Sequence, residues 1–349
     1  MRVPETTIAT DVDAVIGRFF AQRIERADAR GARHGEIWRR AAEATNGGKR
    51  LRPRLLLLAH EALGGGDSRS AETAAAAFEL LHTALLLHDD LLDGDLVRRG
   101  RPNLAGRFAA SAVDEGVAPE AATAWGEASA LLAGDVLLSG VHSLIAEIEH
   151  SARAALHALV DDCLAVTASG EHSDVGYALG VLRADEHEIL RMMEQKTACY
   201  SFSAPLRAGA LLAGADARTV SGLGGIGASL GLLYQMRDDV IGVFGAETRS
   251  GKTVIGDLRE GKRTLLIAFA EHSAQWAQVR HLFGRTRLDL ADAGRLRAAL
   301  ISSGAADRMQ QTIAEQLDRV QREIDEAPLP DPLRGALRRI AVDCAGRDA

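Results

Sequence analysis

The sequence predicts an all-α protein. Alanine and leucine recur along the chain, only 4% of residues are aromatic and only 8 are proline, a composition that favours helix over sheet. Apolar residues make up 47% of the 349 positions, enough to bury a large core, and helical spacing is not interrupted by an alternating strand pattern. Because no biased linker or internal repeat divides the chain, we expect one large helical bundle, a single domain over residues 1–349.

Glycine and proline delimit the predicted helices. The segment "ATNGGKRLRP" (44–53) opens one helix, and "GGGDSRSAE" (64–72) ends it and caps the next through Asp67 or Ser70. That next helix covers 72–93, and "RRGRPNLAG" (98–106) is a loop. We expect mobility near residues 100–120, where "AASAVDEGVAPEAATAWG" reads as a connection, and in the N-terminal ~15 residues. Further helices are predicted at 120–149, 152–180, 184–212, 216–244, 260–275, 292–303 and 305–326, with a last one after "EAPLPDPLRG".

Charge and cysteine content exclude several classes of protein. A formal charge of −7 and a pI near 5.9 argue against a general nucleic-acid or anionic-membrane surface. Cys163, Cys199 and Cys344 lack metal-ligand spacing, which indicates structural thiols in a reducing compartment. The N-terminus has no basic flank before an apolar run, and no stretch reaches the ~18 apolar residues of a spanning helix. We therefore expect a soluble, cytoplasmic protein without stable membrane insertion.

The stretch "LLHTALLLHDDLLDGDLVRRGRP" (80–102) places acids at the end of an apolar helix. Asp89 and Asp93 lie about 40° apart on the helix, with Asp90 near them. The preceding residues are apolar almost all round, so these carboxylates must be protonated or neutralised. Oxygen ligands without cysteine or a histidine pair suit magnesium, which also takes substrate phosphates. The cluster therefore predicts a magnesium diphosphate site.

A second apolar helix has the same arrangement. The segment "GASLGLLYQMRDDVIGVFG" (227–245) is glycine-spaced for close packing and delivers Gln235, Asp238 and Asp239 at one end. If the two helices face each other, metal ions held between them would neutralise a leaving diphosphate.

Cations from several other parts of the sequence accompany the two acidic segments. Arginine binds phosphate as a bidentate ligand and lysine as a point charge, so these cations could hold one diphosphate while metals hold another. Taken alone, each of the lysines at positions 196, 252 and 262 is more simply explained as a solvated surface residue. The candidates are Lys49, Arg50 and Arg52 at "GGKRLRP", Arg98, Arg99 and Arg101 at "RRGRP", and Lys196, Lys252 and Lys262.

Taken together, these segments resemble the trans-isoprenyl diphosphate synthases of the polyprenyl synthetase family, over roughly residues 40 to 345. The resemblance extends to "GD" at Gly134 and Asp135, "QKT" at 195–197 and "GKTVIGDLREGKRT". It implies an isoprenoid synthase type of helical bundle with a central cavity, and a homodimer. It also implies a magnesium-dependent condensation of isopentenyl diphosphate with an allylic diphosphate, most like the geranylgeranyl diphosphate synthases.

The resemblance implies a role for each matching residue. The implied metal ligands are Asp89, Asp93 and Asp238, with Asp90 and Asp239 beside them. The implied ligands of isopentenyl diphosphate are Lys49, Arg52, His82 and Arg99. The residues implied around the allylic diphosphate are Arg98, Lys196, Thr197, Gln235, Lys252 and Lys262, of which Lys196, Gln235 and Lys262 are the catalytic candidates. The implied reaction ionises the allylic substrate and returns a proton to the pyrophosphate, so it needs no side-chain nucleophile.

Two positions depart from the family pattern. Gly242 stands where the second motif normally carries its last aspartate, so one contact to the metal cluster would be missing, and we expect weaker metal or allylic binding. Asn103 stands where threonine is usual, and we expect little effect.

The residues before the first acids predict the product length. A growing tail would run from Asp89 along the helix past Leu85, Ala84 and Leu81. Neither Leu85 nor Ala84 is the aromatic residue that stops growth at farnesyl in the family. The next bulky side chain is Phe78, ~16 Å below Asp89, which favours a geranylgeranyl product. A farnesyl or longer product remains an alternative.

Other classes share part of this pattern. A terpene cyclase would share the first motif, but it would want a different metal motif than "DDVIG" and more aromatic residues. A metallophosphohydrolase could use "HDD" at 88–90 with His60 or His82, but that leaves the second acidic pair unexplained. A non-catalytic helical partner of an active synthase is the remaining alternative, and Gly242 is its main support.

Overall fold

The structure, a computed structural model, describes residues 5–98, 100–245, 255–285 and 287–346, without the side chains of residues 5–10 and 32. These residues are helical apart from turns and one short hairpin, which confirms the all-α prediction. The earlier elements are α1 (Glu5–Asp28), α2 (Ala32–Thr45), α3 (Leu51–Ala62), α4 (Ser68–Leu92), β1 (Val97–Arg98), β2 (Arg101–Pro102), α5 (Leu104–Asp114), α6 (Pro119–Ala146) and α7 (Arg153–Ala178).

The later elements begin with α8 (Glu186–Met193), a π-helix (Glu194–Ser203) and α9 (Ala204–Leu212), which follow one another without a break. They continue with α10 (Ala217–Phe244), α11 (Gly256–Glu260), α12 (Leu265–Ala270), α13 (Ala274–Val279), a 3-10 turn (Arg280–Leu282), α14 (Leu290–Ser302), α15 (Ala305–Glu326) and α16 (Asp331–Ala345).

The chain forms two compact units. The first comprises Met1–Val160 with Pro205–Val220, and the second comprises Asp161–Ala204 with Ser221–Ala349. The expectation of a single domain with a central cavity stays a prediction.

Helix α4 lies at the centre of the first unit and packs against α1, α3 and α6. Phe78, Leu80 and Leu81 are fully buried on it, beside a run of buried alanines (74–77). Because alanine is small, neighbouring backbones can approach the helix closely. Asp67 caps α4 by accepting a hydrogen bond of 3.1 Å from the backbone N–H of Ser70, as expected from its position.

Helix α1 extends the first unit at its N-terminal end. Its buried residues Val12, Val15, Ile16, Phe19 and Phe20 recur at helical spacing, so they form one apolar face. That face explains why α1 packs against α2 and α4.

The predicted loops after α4 are wrong in large part. β1 and β2 pair as an antiparallel hairpin, and α5 begins at Leu104, where a loop to residue 106 was predicted. The chain expected to connect residues 109–126 is helical up to Asp114 and again from Pro119. Phe108 packs edge-on against Trp125 with ring centroids 6.3 Å apart, so apolar contacts hold α5 on α6. The mobility expected of the chain near residues 100–120 stays a prediction.

In the second unit, two predicted helices are interrupted. The helix expected at 260–275 is limited to α12 (Leu265–Ala270), and α13 begins only at Ala274. Gly261, whose φ of 74° suits glycine, ends α11 before it. The helix expected at 184–212 widens into a π-helix between Glu194 and Ser203. The helix predicted at 305–326 is confirmed as α15.

Helix α6 is long and apolar enough to cross a membrane by length and composition. The sequence-based expectation of no such stretch was too strict, because it counted uninterrupted apolar residues. Half of the most apolar window of α6 is buried inside the protein, where it packs against α4 and α5. This burial is typical of a core helix.

Arg50 has a structural role that separates it from Lys49 and Arg52. It precedes α3 in the left-handed conformation, with φ 48° and ψ 42°, which costs about 1–3 kcal/mol for a non-glycine residue. Its guanidinium donates to Glu79 Oε1 at 2.9 Å, to the Thr45 carbonyl at 2.9 Å and to Asp13 Oδ1 at 3.0 Å. Arg50 and Glu79 are both buried, so each neutralises the other. The grouping of Arg50 with the diphosphate-binding cations is therefore wrong.

We expect Arg50→Met to lower the free energy of unfolding by about 3–5 kcal/mol, because it leaves the Glu79 carboxylate buried without its partner. Urea denaturation followed by circular dichroism measures the loss. Arg69→Met, which removes an exposed arginine from α4, serves as the control and should change stability by less than about 0.5 kcal/mol. Equal effects of the two substitutions would contradict this role for Arg50.

Candidate functional site

The first acid cluster, Asp89, Asp90 and Asp93, stands where α4 ends. Asp90 is buried, whereas Asp89 and Asp93 are half-buried. The hairpin folds back so that Arg98 on β1 reaches two of these acids. Its Nε donates to Asp90 Oδ1 at 2.7 Å, and its Nη2 donates to Asp89 Oδ2 at 3.1 Å. The first cluster is therefore joined to a cation from the adjoining hairpin.

Burial and ion pairing act in opposite directions in this cluster. Burial raises the pKa of Asp90, and the hydrogen bonds and charge of Arg98 only partly offset it. Burial alone would lower the pKa of Arg98, but Asp90 and Asp89 together raise it above its ordinary value. Arg98 stays charged, and Asp90 takes up a proton more readily than an exposed aspartate. The role expected for Arg98 at an allylic diphosphate stays a prediction.

Asn103 fixes the chain between the hairpin and α5. Its Nδ2 donates to the Asp95 carbonyl at 2.6 Å, and its Oδ1 accepts from the Gly106 N–H at 2.9 Å. One side chain therefore caps α5 through its amide oxygen and holds the turn after the first cluster through its amide nitrogen. Asn103 also helps to lower the pKa of Asp90. The expectation that this departure has little effect neglected these bonds.

The "GD" segment makes room for a histidine. A Cβ at position 134 would lie 2.2 Å from His88 Nε2, so the ring of His88 requires glycine there. The same Nε2 lies 3.3 Å from the Leu131 carbonyl and 3.6 Å from Asp135 Oδ1. His88 therefore faces α6 rather than the neighbouring acids.

The cations expected to bind isopentenyl diphosphate lie at different depths. Lys49 is exposed in the turn before α3, whereas Arg52 on α3 and His82 on α4 are half-buried. Arg99 lies outside the described residues. A common diphosphate pocket for these residues stays a prediction.

The second acid cluster, Asp238 and Asp239, lies near the end of α10, and Gln235 is one turn earlier. Gln235 Oε1 accepts from Thr197 Oγ1 at 2.8 Å, and Gln235 Nε2 donates to Asp239 Oδ1 at 2.8 Å. The structure thus joins three of the predicted residues in one hydrogen-bonded chain, in which Asp239 is buried and Asp238 half-buried.

The pKa of Asp239 is strongly perturbed. Burial raises its pKa well above 3.8, the hydrogen bond from Gln235 partly offsets this, and the charges of Asp257, Asp238 and Asp174 raise it further. A positive charge brought to these acids would favour the ionised form of Asp239.

Lys196 pairs with two acids on α7 that sequence reasoning missed. Its Nζ lies 2.6 Å from Asp174 Oδ2 and 3.0 Å from Glu171 Oε1. All three side chains are largely withdrawn from solvent, with at most 19% exposed. The signal was present in "SGEHSD", where Glu171 and Asp174 stand one helical turn apart.

Lys196 and Thr197 project from the π-helix, and three glycines let other helices approach it closely. A Cβ on Gly170 of α7 would lie 2.4 Å from the Lys196 backbone nitrogen, and one on Gly231 of α10 would lie 2.3 Å from the Ala198 Cβ. Gly227 allows a similar approach to Ser203. The expectation that the glycines of α10 serve close packing is confirmed. On the same π-helix, the Cys199 thiol Sγ lies 3.8 Å from the Cys163 thiol Sγ.

The segment around α11 contributes one cation and two acids. Lys262 Nζ pairs with Glu260 Oε2 at 3.0 Å, and the Lys262 N–H donates to the Asp257 carbonyl at 3.0 Å. The carboxylate of Asp257 lies beside Gly242, because a Cβ there would be 2.0 Å from Asp257 Oδ2. Sequence reasoning missed both acids. Lys252 lies outside the described residues.

The residues predicted to line a product pocket lie along α4. Phe78, Leu81 and Ala84 are fully buried, whereas Leu85 is half-buried. Their order along the helix is as predicted, and a tail-binding pocket beside them stays a prediction.

The acids of both clusters fit magnesium. Their donor atoms are all carboxylate oxygens, and among the described residues no group of three His, Cys, Asp or Glu side chains converges tightly enough to hold a metal alone. Magnesium usually keeps several waters and takes one or two carboxylates plus phosphate oxygens, so this arrangement is suitable. Asp89 and Asp93 in the first unit and Asp238 in the second would hold such ions.

Each of the two acid clusters thus lies near the end of an apolar helix, with Arg98 beside the first and Lys196 adjoining the Thr197 that bonds Gln235 of the second. A family model described as polyprenyl synthetase matches residues 37–300. The chain belongs to this family.

Relatives and a solved structure agree with this assignment. The short chain isoprenyl diphosphate synthase of Methanothermobacter thermautotrophicus is 37% identical over 65% of this chain and 64% of its own length. The geranylgeranyl diphosphate synthase of Methanosarcina mazei is 36% identical over 63% of each chain. This chain therefore matches less than two thirds of the length of these relatives. A geranylgeranyl pyrophosphate synthase from Corynebacterium glutamicum, solved with isoprenyl diphosphate and magnesium, has a TM-score of 0.92 at 24% identity, covering 99% of this chain and 100% of that one. At this identity, the likeness concerns the fold.

We expect Asp239→Asn to stabilise the metal-free protein at neutral pH. Because the pKa of Asp239 is raised from 3.8, the folded state binds its proton more tightly than the unfolded state, and stability falls as the pH rises above ~4. Asparagine stays neutral and can still accept from Gln235. With EDTA present, the unfolding temperature at pH 7 should rise by about 1–2 °C per kcal/mol gained, because the entropy of unfolding grows with chain length, and its fall between pH 4 and 7 should be smaller. Asp318→Asn, at an exposed position on α15, should leave both quantities unchanged. Identical pH profiles for wild type and Asp239→Asn would contradict this account.

Proposed function

We propose that this chain is a magnesium-dependent trans-prenyltransferase that condenses isopentenyl diphosphate with an allylic diphosphate. The observation that carries the proposal is the repeated placement of half-buried and buried aspartates at helix ends, with Arg98 beside the first cluster and Lys196 near the second. Membership of the polyprenyl synthetase family and the name of the Methanothermobacter relative support it.

The chain's own residues bind and orient the diphosphates. Lys196 presents ammonium donors that Glu171 and Asp174 hold in place, and Thr197 fixes the amide of Gln235. Lys262 would add a positive charge from the α11 segment. Bound magnesium would neutralise the leaving diphosphate. The double bond of isopentenyl diphosphate then attacks the allylic cation, and the departing pyrophosphate takes the released proton.

The alternative classes find less support. In the phosphohydrolase reading, His60 would be a ligand, but it is buried where a Cβ on Gly65 would meet its ring at 2.2 Å. His88 turns to α6 instead of the acids. A terpene cyclase would need more aromatic residues than the 4% present. A non-catalytic role predicts that the purified chain alone forms no elongated product.

We expect Asp89→Ala and Asp238→Ala each to reduce turnover by at least ~10²-fold, because each would remove a carboxylate that holds magnesium beside the diphosphate. The purified chain is incubated with labelled isopentenyl diphosphate and dimethylallyl, geranyl or farnesyl diphosphate, with and without magnesium, and the products are separated by length. Asp161→Ala, at an exposed acid on α7, is the control. Near-full activity in either variant, with elongation by the wild type, would contradict the metal-binding role.

We propose geranylgeranyl diphosphate as the main product. In the turn of α4 that precedes Asp89, Leu85 and Ala84 are not aromatic. Phe78, eleven residues before Asp89, is the first bulky side chain proposed to close the pocket. The Methanosarcina relative is named a geranylgeranyl diphosphate synthase, which supports this length.

We expect Phe78→Ala to shift the product distribution beyond twenty carbons, because the proposed floor of the pocket is removed. Reversed-phase chromatography of the hydrolysed products measures the shift. The substitution also destabilises by about 3–5 kcal/mol, so Phe20→Ala, at a buried position on α1, serves as a control of similar stability loss. A shift in both variants, or in neither, would contradict the role of Phe78.

We propose that the protein is a homodimer that uses one face of α6. Trp125, Leu131 and Leu132 are 55%, 49% and 50% exposed. Trp125 and Leu132 lie on one stripe of the helix, and Leu131 lies about 100° from Leu132 around the helix axis. Exposed Val113 and Val117 precede them. A second copy would bury this apolar face, which also explains the apolarity of α6 in a protein that we propose to be cytoplasmic.

We expect the double substitution Leu131→Asp with Leu132→Asp to convert the dimer to a monomer, because it would place two charges in an apolar interface. Light scattering coupled to size-exclusion chromatography measures the molar mass. Ile301→Asp, at an exposed position on α14, should leave the mass unchanged. A wild-type monomer, or a double variant that stays dimeric, would contradict the use of this face.

A further inference from the structure

The missing acid at position 242 leaves a specific space on α10. Gln235, Asp238, Asp239 and residue 242 are three, four and seven positions apart, so they share one face of the helix. A side chain at position 242 would therefore continue the face that carries the second acid cluster. Gly242 has none, and its Cα leaves that part of the face open.

The carboxylate of Asp257 occupies this space. An ideal Cβ at position 242 would lie 2.0 Å from Asp257 Oδ2, 3.0 Å from its Cγ and 3.7 Å from its Oδ1. These distances are shorter than van der Waals contact for the first two atoms, so a side chain at position 242 and the present position of Asp257 exclude each other. Glycine at 242 leaves room for this position of the Asp257 carboxylate, and a larger residue there would require the carboxylate to turn away.

The backbone around Asp257 holds this carboxylate at the cluster. Asp257 stands in the first turn of α11, and its carbonyl accepts a hydrogen bond of 3.0 Å from the Lys262 N–H. Its carboxylate lies beside position 242, about one helical turn beyond Asp238 and Asp239 on the face of α10 that carries them. The acid thus lies within electrostatic reach of the second cluster, on a segment that also presents Lys262.

We propose that Asp257 supplies the third carboxylate of the second acid cluster, in place of the acid absent at position 242, and helps to hold a divalent cation and its waters beside Asp238. The inference rests on the proposed function and names one more positioning residue for it. It also replaces the expectation that Gly242 costs this cluster a contact.

The first experiment measures cation binding without turnover. Isothermal titration calorimetry of Mn²⁺ is carried out in the presence of inorganic pyrophosphate, with the wild type, Asp257→Asn and the control Asp318→Asn. We expect Asp257→Asn to weaken Mn²⁺ binding by about 10–100-fold, the usual effect of losing a group that supports a metal site, and the control to bind as the wild type does. Asparagine has nearly the volume of aspartate, so the variant should fold.

The second experiment moves the carboxylate from 257 to 242. Gly242→Asp in the wild-type background should lower the unfolding temperature, because its Cβ collides with Asp257. In the Asp257→Ala background, the same substitution should restore Mn²⁺ binding to within about threefold of the wild type. The reason is that an aspartate at 242 would place its carboxylate where that of Asp257 was. Non-additive effects of the two substitutions on the unfolding temperature would demonstrate the shared space.

The outcomes separate the inference from the proposed function. Unchanged Mn²⁺ binding in Asp257→Asn, with elongation activity in the wild type, overturns the inference and leaves the proposed function standing. The inference is also overturned if Asp257→Asn weakens Mn²⁺ binding but Gly242→Asp does not restore it in the Asp257→Ala background. Asp257 would then act through something other than a carboxylate beside position 242 of α10. A wild type that neither binds Mn²⁺ nor elongates overturns both.

Discussion

Carboxylates placed at the ends of buried helices are the constraint on which the rest of the structure depends. A carboxylate withdrawn from water must be protonated or paired, and the two units meet this requirement differently. In the first unit, Arg98 folds back on a hairpin to Asp89 and Asp90. In the second, Gln235 donates to Asp239, while Asp174 and Glu171 are paired with Lys196. The hairpin, the Asn103 cap and the glycines around the π-helix each serve to bring these partners into reach.

Local signals in the sequence were enough to predict much of the fold. Asp67 was identified as a cap, α15 was predicted with its observed ends, and the glycines of α10 were recognised as contact points. The charge pattern alone did not separate Arg50 from Lys49, because both follow a Gly-Gly pair, although the family resemblance gave a role to Lys49 and none to Arg50. Only the fold shows that Arg50 meets Glu79, 29 positions along the chain. Pairing over such distances is set by tertiary packing, which periodicity does not report.

The errors have related physical causes. The predicted loop after α4 was inferred from Gly, Pro and Arg, but apolar contact between Phe108 and Trp125 stabilises a helix there. The acids Glu171, Asp174 and Asp257 were not singled out, because the sequence does not show which residues from other segments they meet in the fold. Gly242 was judged by the side chain that it lacks. In the structure, it also lets the Asp257 side chain approach the backbone of α10. An empty position on one helix can be filled by a side chain from another.

The π-helix from Glu194 to Ser203 has a consequence for how this segment tolerates change. A π turn holds more residues than an α turn, so side chains along it advance by a smaller rotation per residue, and such turns are uncommon outside functional sites. Deleting one residue here would let the chain relax to α-helical winding and rotate Lys196 and Thr197 relative to α8. Insertions and deletions, rather than substitutions, are therefore the changes to which this segment is most sensitive, and homologous chains should be compared through it without assuming α-helical spacing.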